Sequence, residues 1–140
     1  MTKDKYKGSY KQIAKAILKY SENPGLDLIN FFEQVNFSFL TGNADMHLKN
    51  FSLIKGPQTS YVLAPLYNLI ASSQIVRGDT EELALNLNGK KRKMVRKDFD
   101  TVSFSFKILN EKAIENIYQN FSASIEKWIP FIQQSFLPED

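Results

Sequence analysis

The chain has 140 residues, of which 43% are hydrophobic, a formal net charge of +3 and no cysteine. This composition excludes a disordered chain, a disulfide scaffold and a thiolate metal site, and it allows one domain that buries roughly two thirds of its unfolded surface. No apolar run reaches the ~18 residues of a membrane span, and Met1–Lys5 lacks a signal peptide's apolar region. We therefore expect a soluble, cytoplasmic protein with no membrane contact.

The first predicted element is a helix from Ser9 to Tyr20. Residues 1–8 are charged and carry no apolar periodicity, which predicts a flexible lead-in, and residues 9–140 are then predicted to form a single domain. Ser9 is the predicted N-cap, because apolar residues recur at helical spacing after it.

A second helix is predicted from Leu26-Asp27 to Leu40, after the breaker Asn23-Pro24-Gly25 has ended the first. Its residues are apolar almost all round, which is typical of a helix buried at the centre of a domain. Gly42 follows it and leads the chain into a polar loop.

Two β-hairpins are predicted after the polar loop. The β-like runs Phe51–Ile54 and Tyr61–Leu63 flank a short turn segment, so the first hairpin brings its preceding and following residues to one end. The second is centred on Asn88-Gly89, a strong hairpin signal, between the alternating run Leu83–Leu87 and the returning segment Lys90–Val95.

Two more helices are predicted towards the C-terminus. Asp98 is the predicted cap of one that runs through Phe104 to Ile108. Asn110-Glu111 starts a long amphipathic helix, and Pro130 is predicted to break or kink it.

The polar loop Thr41–Asn50 is the candidate reaction site. It contains an aspartate, the chain's one histidine, a lysine and two asparagines between strongly apolar segments. Asp45 and Asn50 have the spacing of the protein-kinase catalytic loop, in which the Asp accepts or orients the substrate hydroxyl proton and the Asn oxygen holds magnesium. Taken alone, Asp45 is also compatible with a loop carboxylate that caps backbone amides.

The wider string is more specific. It reads Gly42-Asn43-x-Asp45-x-His47-x-Lys49-Asn50-x-Ser52 and is followed by Leu63-Ala64-Pro65-x-Tyr67. From about Tyr10 onwards the sequence resembles the C-terminal lobe of the HipA-type serine/threonine kinase toxins of bacterial toxin–antitoxin modules. The Asp-x-His-x-x-Asn core also resembles the catalytic loop of phosphoinositide kinases. The resemblance implies an α+β, mainly helical, protein-kinase-like C-terminal lobe with two short β-hairpins.

The resemblance also implies roles for five residues. Asp45 and His47 are the expected catalytic residues, Lys49 is the expected contact to the nucleotide, and Asn50 and Asn68 are the expected magnesium ligands, with Mg²⁺ and ATP as cofactors. A structural histidine that hydrogen-bonds a backbone carbonyl is an equal alternative for His47. A solvated charge is the alternative for Lys49, and Asn43 is expected to hold the shape of the loop.

Two departures from the family pattern weaken the expected activity. The family's N-terminal lobe, with its nucleotide-binding lysine, has no counterpart, and the metal-binding aspartate after Ala-Pro-x-Tyr is Asn68. We therefore expect a chain that is inactive alone, binds ATP and Mg²⁺ weakly, and takes its first lobe from another chain. The alternative is a pseudokinase remnant that binds a protein such as an antitoxin. Another is a mostly helical domain with an accidental polar loop, which leaves Ala64-Pro65-x-Tyr67 unexplained.

Two surfaces are candidates for contact with partners. The first helix and the residues around Tyr67–Ile70 are predicted to expose an apolar patch where the other lobe docks or the chain self-associates. Lys90–Lys97 carries six positive charges in eight residues. These could meet nucleic-acid phosphates, but a solvated hairpin face is the commoner meaning. Contact with nucleic acid is expected only indirectly, through an antitoxin.

Overall fold

In the computed structural model the described residues are 4, 6–56, 60–72, 80–106 and 109–136. The chain divides into two compact units, Met1–Leu109 and Asn110–Asp140. The first unit contains helices α1 (Tyr10–Tyr20), α2 (Pro24–Leu40) and α3 (Arg96–Phe104), a short 3₁₀ helix η1 (Leu48–Asn50), and strands β1 (Leu53–Lys55) and β2 (Tyr61–Leu63); the second contains α4 (Glu111–Gln133). The fold is therefore α+β and mainly helical, as predicted. Across the described ranges, no helix is both long enough and apolar enough to cross a bilayer.

Helix α1 begins where the sequence predicts it. The Ser9 hydroxyl accepts the Gln12 N–H at 3.3 Å, and the Gln12 side chain accepts the Ser9 N–H at 2.9 Å. This reciprocal capping box satisfies two of the N–H groups that a helix start leaves without partners. The face that α1 buries consists of Tyr10, Ile13, Ala14 and Ile17.

Helix α2 begins two residues earlier than predicted. Asn23 is its N-cap and accepts the Leu26 N–H, while Pro24 is the first helical residue. Proline is favourable there, because its missing N–H would have no helical partner in any case. The Asn-Pro-Gly sequence therefore separates the two helices and also starts the second. Its buried apolar residues include Leu28, Phe31, Phe32 and Val35.

Strands β1 and β2 form the first predicted hairpin. They pair antiparallel with Leu53 opposite Leu63 and Lys55 opposite Tyr61. The turn of this hairpin includes residues 57–59, which lie outside the described part of the chain. Because the two strands run in opposite directions, η1, which precedes β1, and the segment that follows Leu63 lie at the same end of the hairpin.

Polar side chains of α2 hold this hairpin in place. Buried Asp27 accepts the Leu63 N–H at 2.8 Å and the Ser21 hydroxyl at 2.6 Å. About two turns further along α2, Gln34 donates to the Ala64 carbonyl at 3.1 Å. The polar interruptions of an otherwise apolar helix therefore satisfy the backbone of β2 and of the residue after it.

The second predicted hairpin is reduced to its turn. Asn88 and Gly89 both have positive φ, 50° and 77°, as a type I′ turn requires, and Leu87 and Lys90 exchange backbone hydrogen bonds of 2.9 and 3.0 Å. This pair is an isolated antiparallel bridge rather than part of two regular strands. Lys93, with φ 51°, interrupts the extended backbone three residues after the bridge, which explains why the returning strand is not formed.

Helix α3 differs from the prediction at its start. Asp98 is not the cap of α3 but its third residue, and its carboxylate accepts the Val95 N–H at 3.1 Å. The helix ends at Phe104, and the predicted end at Ile108 lies outside the described residues.

Helix α4 starts as predicted, with the Asn110 side chain accepting the Ala113 N–H at 2.8 Å. It continues through Pro130 to Gln133, so of the predicted break or kink at Pro130 the break is wrong. The N–H that the proline lacks would have bonded the carbonyl of Glu126, four residues earlier, so a single hydrogen bond is missing near the end of the helix.

Candidate active site

A left-handed glycine turns the chain from α2 into the polar loop. Gly42 has φ +69°, and its N–H donates to the Phe39 carbonyl at 3.2 Å, while the Asn43 N–H donates to the Ser38 carbonyl at 2.8 Å. These two bonds form a Schellman motif, which favours glycine because other side chains rarely adopt positive φ. The motif fixes the direction in which the loop leaves the buried helix.

Asn43 connects the loop to the segment after the hairpin. Its side-chain oxygen accepts the Asp45 N–H at 3.3 Å, and its side-chain nitrogen donates to the Asn68 carbonyl at 2.9 Å. The residue is only 1% exposed. The first bond confirms that Asn43 holds the shape of the loop, and the second joins two segments that are 25 residues apart in sequence.

His47 organises the middle of the loop. Its Nδ1 accepts the Lys49 N–H at 3.3 Å and so caps η1. The neutral ring then carries its proton on Nε2, which lies 3.9 Å from Asp45 Oδ1. His47 is buried, whereas the Asp45 side chain is 38% exposed. His47 thus bonds a backbone N–H rather than the backbone carbonyl expected above, and its other nitrogen faces the expected catalytic carboxylate.

Tyr6 is a site residue that sequence reasoning missed. Its hydroxyl donates to Asp45 Oδ1 at 2.6 Å, and its ring packs edge-on against His47 with centroids 5.4 Å apart. Residues 1–8 show no apolar periodicity, so the only available signal was an aromatic ring among charged neighbours. Tyr6 therefore connects the predicted lead-in to the candidate site.

Tyr67 forms a second bridge between the loop and the segment of Asn68. Its hydroxyl donates to the Lys49 carbonyl at 3.0 Å and lies 2.8 Å from the Ser52 hydroxyl, which then donates to it. Tyr67 precedes Asn68, and Lys49 precedes Asn50. The bridge therefore brings together the two segments that carry the expected magnesium ligands.

A cluster of three aromatic rings packs beside the loop. The rings of Tyr10, Phe31 and Phe51 contact one another with centroid distances of 5.3 to 6.3 Å. The Tyr10 hydroxyl donates to the Met46 carbonyl at 3.1 Å, and both residues are completely buried. Burial raises the pKa of Tyr10 well above its ordinary value, since the phenolate would lose its hydration.

The oxygen donors of this region are of the kind that Mg²⁺ accepts, but they carry little charge. Mg²⁺ is held through carboxylates, amide or phosphate oxygens and water. Asp45 supplies one carboxylate, while Asn50 and Asn68 supply amides. Among the residues described, no three His, Cys, Asp or Glu side chains form a possible metal site. The donor set is therefore compatible with magnesium in type and weak in charge.

Asn68 has an unusual backbone. Its φ is 58°, in the left-handed region, where asparagine and aspartate occur more often than other residues with a side chain. The backbone therefore accommodates aspartate at this position about as well as asparagine, and the Asn43 bond is made to the carbonyl rather than to the side chain.

Three of the six basic side chains in segment Lys90–Lys97 form ion pairs with carboxylates. Lys90 pairs with Asp98 at 2.9 Å, Lys91 with Glu81 at 3.1 Å, and Arg96 with Asp100 at 3.5 Å. Half of its six positive charges therefore belong to ion pairs within the unit. This arrangement favours the structural interpretation over a surface for nucleic-acid phosphates.

The central helix, the loop and the returning hairpin have the arrangement of a protein-kinase-like C-terminal lobe. A model of the HipA-like C-terminal domain family matches residues 1–129, so the chain belongs to that family.

Solved structures and curated relatives agree with this assignment. The HipA chain of the Shewanella oneidensis toxin–antitoxin complex of HipA, HipB and operator DNA superposes with a TM-score of 0.79 and 19% identity, over 95% of this chain and 31% of that one. A Haemophilus influenzae protein named "Putative kinase" is 30% identical over 94% of this chain, and "Putative kinase Y4dM" of Sinorhizobium fredii is 35% identical over 61%. The chain spans 43% and 20% of the lengths of these two relatives.

Proposed function

We propose that this chain is the catalytic-loop lobe of an ATP-dependent serine/threonine protein kinase that acts in the cytoplasm as part of a toxin–antitoxin module. The observation that carries the proposal is the double connection between the two segments that bear the expected site residues. Asn43 bonds the Asn68 carbonyl, and Tyr67 bonds the Lys49 carbonyl. A kinase needs this juxtaposition, because its base and its metal ligands lie on these two segments.

Each site residue has a proposed task. Asp45, partly exposed, accepts the proton of the substrate hydroxyl, and His47 keeps that carboxylate oriented from its buried position. The exposed Lys49 side chain is available to phosphate oxygens. Asn50 and Asn68 would hold Mg²⁺, which when bound offsets the charge of the phosphate oxygens during transfer.

The single carboxylate at this site predicts slow transfer. An aspartate in place of Asn68 would contribute one more negative charge, and two unit charges roughly 4 Å apart interact by about 4 kcal/mol at an effective dielectric of about 20. Water and phosphate oxygens compensate for much of that loss. We therefore propose weak metal binding and low activity, and ATP binding that depends on a first lobe.

The proposal is tested by joining the chain to the N-terminal lobe of its Haemophilus influenzae relative and measuring transfer from ATP to a library of peptides with a central serine or threonine. Asp45→Asn is expected to lower the rate at least about 100-fold, the usual scale for loss of a general base. Asp100→Asn, a matched change in α3, is expected to leave it unchanged. An Asp45→Asn rate equal to that of the unmodified chain would refute the assignment.

A protein-binding role is the second candidate, and exposed apolar side chains favour it. Tyr67, Leu69 and Ile70, around the uncharged Asn68, are 40%, 54% and 47% exposed. These exposures support the predicted patch around Tyr67–Ile70, and we propose that a kinase lobe, an antitoxin or a second copy of the chain covers it. Sedimentation of the chain with Leu69→Ser is expected to show weaker self-association, and identical sedimentation would exclude the second copy.

A further inference from the structure

We propose that Tyr6 is an intramolecular phosphoacceptor: its hydroxyl occupies the place in front of Asp45 that the proposed kinase function gives to the substrate hydroxyl. The inference rests on that proposed function, since it needs Asp45 to be the base. It adds a modification site that the resemblance to kinases does not assign, and it adds a tyrosine phenol to the serine and threonine hydroxyls that the proposed function names as acceptors.

The geometry of the Tyr6–Asp45 contact is that of an acid facing its base. The donor-to-acceptor distance of 2.6 Å lies in the range of short, charge-assisted O–H···O⁻ bonds. A general base must lie within hydrogen-bond reach of the proton that it removes, and this pair meets that condition. The contact joins residues 39 apart in sequence, so local chain geometry does not impose it.

The environment of the Tyr6 ring keeps the hydroxyl at this position. The ring lies edge-on to buried His47 at an interplanar angle of 81°, and His47 Nε2 lies 3.9 Å from the same carboxylate oxygen. Tyr6 and Asp45 are both partly exposed, at 40% for Tyr6 and 38% for the Asp45 side chain. A phosphate donor can therefore approach from solvent without unfolding the loop.

Two other tyrosine hydroxyls near the loop face different acceptors. Tyr10 donates to the Met46 carbonyl and Tyr67 to the Lys49 carbonyl. An amide carbonyl cannot take a phenolic proton, whereas a carboxylate can. Position in front of a base, rather than proximity to the loop, distinguishes Tyr6 from them.

The proposed step is a phosphoryl transfer. The Tyr6 oxygen forms a bond to the γ-phosphorus of ATP, the bond between that phosphorus and the β-phosphate oxygen breaks, and ADP leaves with the electron pair. The phenolic proton passes to Asp45. Phosphotyrosine and ADP are the products, and no oxidant or further reactant is needed.

The contact is tested first in the chain alone, without nucleotide. With ¹³C-labelled tyrosine, Asp45→Asn is expected to shift the NMR signals of the Tyr6 ring and to leave those of exposed Tyr61 in place. Tyr6→Phe identifies the Tyr6 signals, and Tyr61→Phe is the matched control. Unchanged Tyr6 signals in Asp45→Asn would overturn the inference whatever the chain's activity.

The transfer is tested by mass spectrometry of the same chain joined to the first lobe of the Haemophilus influenzae relative, incubated with Mg²⁺ and ATP. Phosphate is expected on Tyr6, at least about 100-fold less of it in Asp45→Asn, and the same amount in Tyr61→Phe. If ATP is hydrolysed in an Asp45-dependent way and Tyr6 stays unmodified, the inference fails and the kinase function stands. If no Asp45-dependent reaction of ATP occurs, both fail.

Discussion

The loop Thr41–Asn50 and the segment Glu81–Asp98 are both polar, but the molecule satisfies their polar groups in different ways. In the segment, cations pair with carboxylates, as Lys90 does with Asp98 and Lys91 with Glu81. In the loop, neutral amides and hydroxyls bond the backbone, as Asn43 and Tyr67 do. The loop's carboxylate, Asp45, is left partly exposed beside a tyrosine hydroxyl.

This difference separates a charge cluster that stabilises the fold from the cluster for which we propose a catalytic role. Ion pairs consume the charges that a ligand would need, whereas neutral hydrogen bonds can hold a loop while its ionised group stays accessible. The predictions that follow break one region or the other, beginning with the largest expected effect.

Asn43→Ala should be the most damaging change in the loop. It leaves the Asn68 carbonyl and the Asp45 N–H without their partner, which costs about 1–3 kcal/mol at about 0.5–1.5 kcal/mol for each lost hydrogen bond. Urea unfolding of the variant measures this loss. Asn120→Ala, at an exposed position of α4, is the control, and equal stability of the two variants would show that Asn43 does not hold the loop.

Asp98→Asn should break the charge-paired region in a pH-dependent way. Hydrogen bonds from Lys90 and Asn88 hold the pKa of Asp98 below its ordinary value, so its contribution to stability is present above about pH 4, the unfolded-state pKa, and is lost as pH falls below it. The variant should be less stable than the unmodified chain at pH 7, and the difference should narrow in acid. If the difference in unfolding free energy between the two proteins stays the same from pH 7 to pH 2, the pairing of Asp98 with Lys90 and Asn88 is contradicted.

Tyr10→Phe should have a smaller effect, which extends to alkaline pH. It removes the bond to the Met46 carbonyl, at about 1 kcal/mol, and keeps the ring in the aromatic cluster. Because the folded-state pKa of Tyr10 is raised, its stabilisation is complete below about pH 10 and is lost as pH rises above that value. Between pH 9 and pH 11 the variant should therefore lose less stability than the unmodified chain, as measured by denaturant unfolding. An equal loss in the two proteins would be inconsistent with a buried phenol.

Lys91→Gln should change stability least, by about 0.5 kcal/mol, because a peripheral ion pair is weak and is screened by salt. Thermal unfolding at low and high salt measures the effect. If the segment instead binds phosphates, the variant should release a nucleic-acid oligomer that the unmodified chain retains, and the present account predicts no such binding.

Local chemistry explains why the sequence predicted parts of this structure. The Ser9 cap, the Asn88-Gly89 turn and the Asn110 cap depend on residues within three positions of one another, and all three are confirmed. The site's longer connections join segments that are 18 to 39 residues apart, as Tyr6 to Asp45 and Asn43 to Asn68 do. No periodicity encodes such pairs, so Tyr6 was missed and Tyr67 was known only as part of a motif.

The alternating run Leu83–Leu87 shows how tertiary packing overrides a local pattern. Its alternation predicts a strand in a hairpin, but Leu83, Ala84 and Leu85 are all completely buried, and the Asn86 carbonyl instead accepts the Tyr10 N–H at 3.1 Å. The N–H groups of Glu82 and Leu83 both donate to the Lys91 carbonyl, at 2.9 and 3.3 Å, so part of this backbone is paired outside a regular ladder. Sequence alternation alone could not distinguish these two outcomes.

The most direct test of the proposed site is the Asn68→Asp variant, joined to the first lobe of the Haemophilus influenzae relative and assayed for phosphoryl transfer at a series of Mg²⁺ concentrations. Aspartate suits the backbone of Asn68 and restores the missing negative charge. The account predicts a higher rate that saturates at lower Mg²⁺ than with Asn68, and no transfer when Asp45→Asn is added. Equal rates and equal Mg²⁺ dependence for Asn68 and Asn68→Asp would contradict the assignment of Asn68 to the metal site.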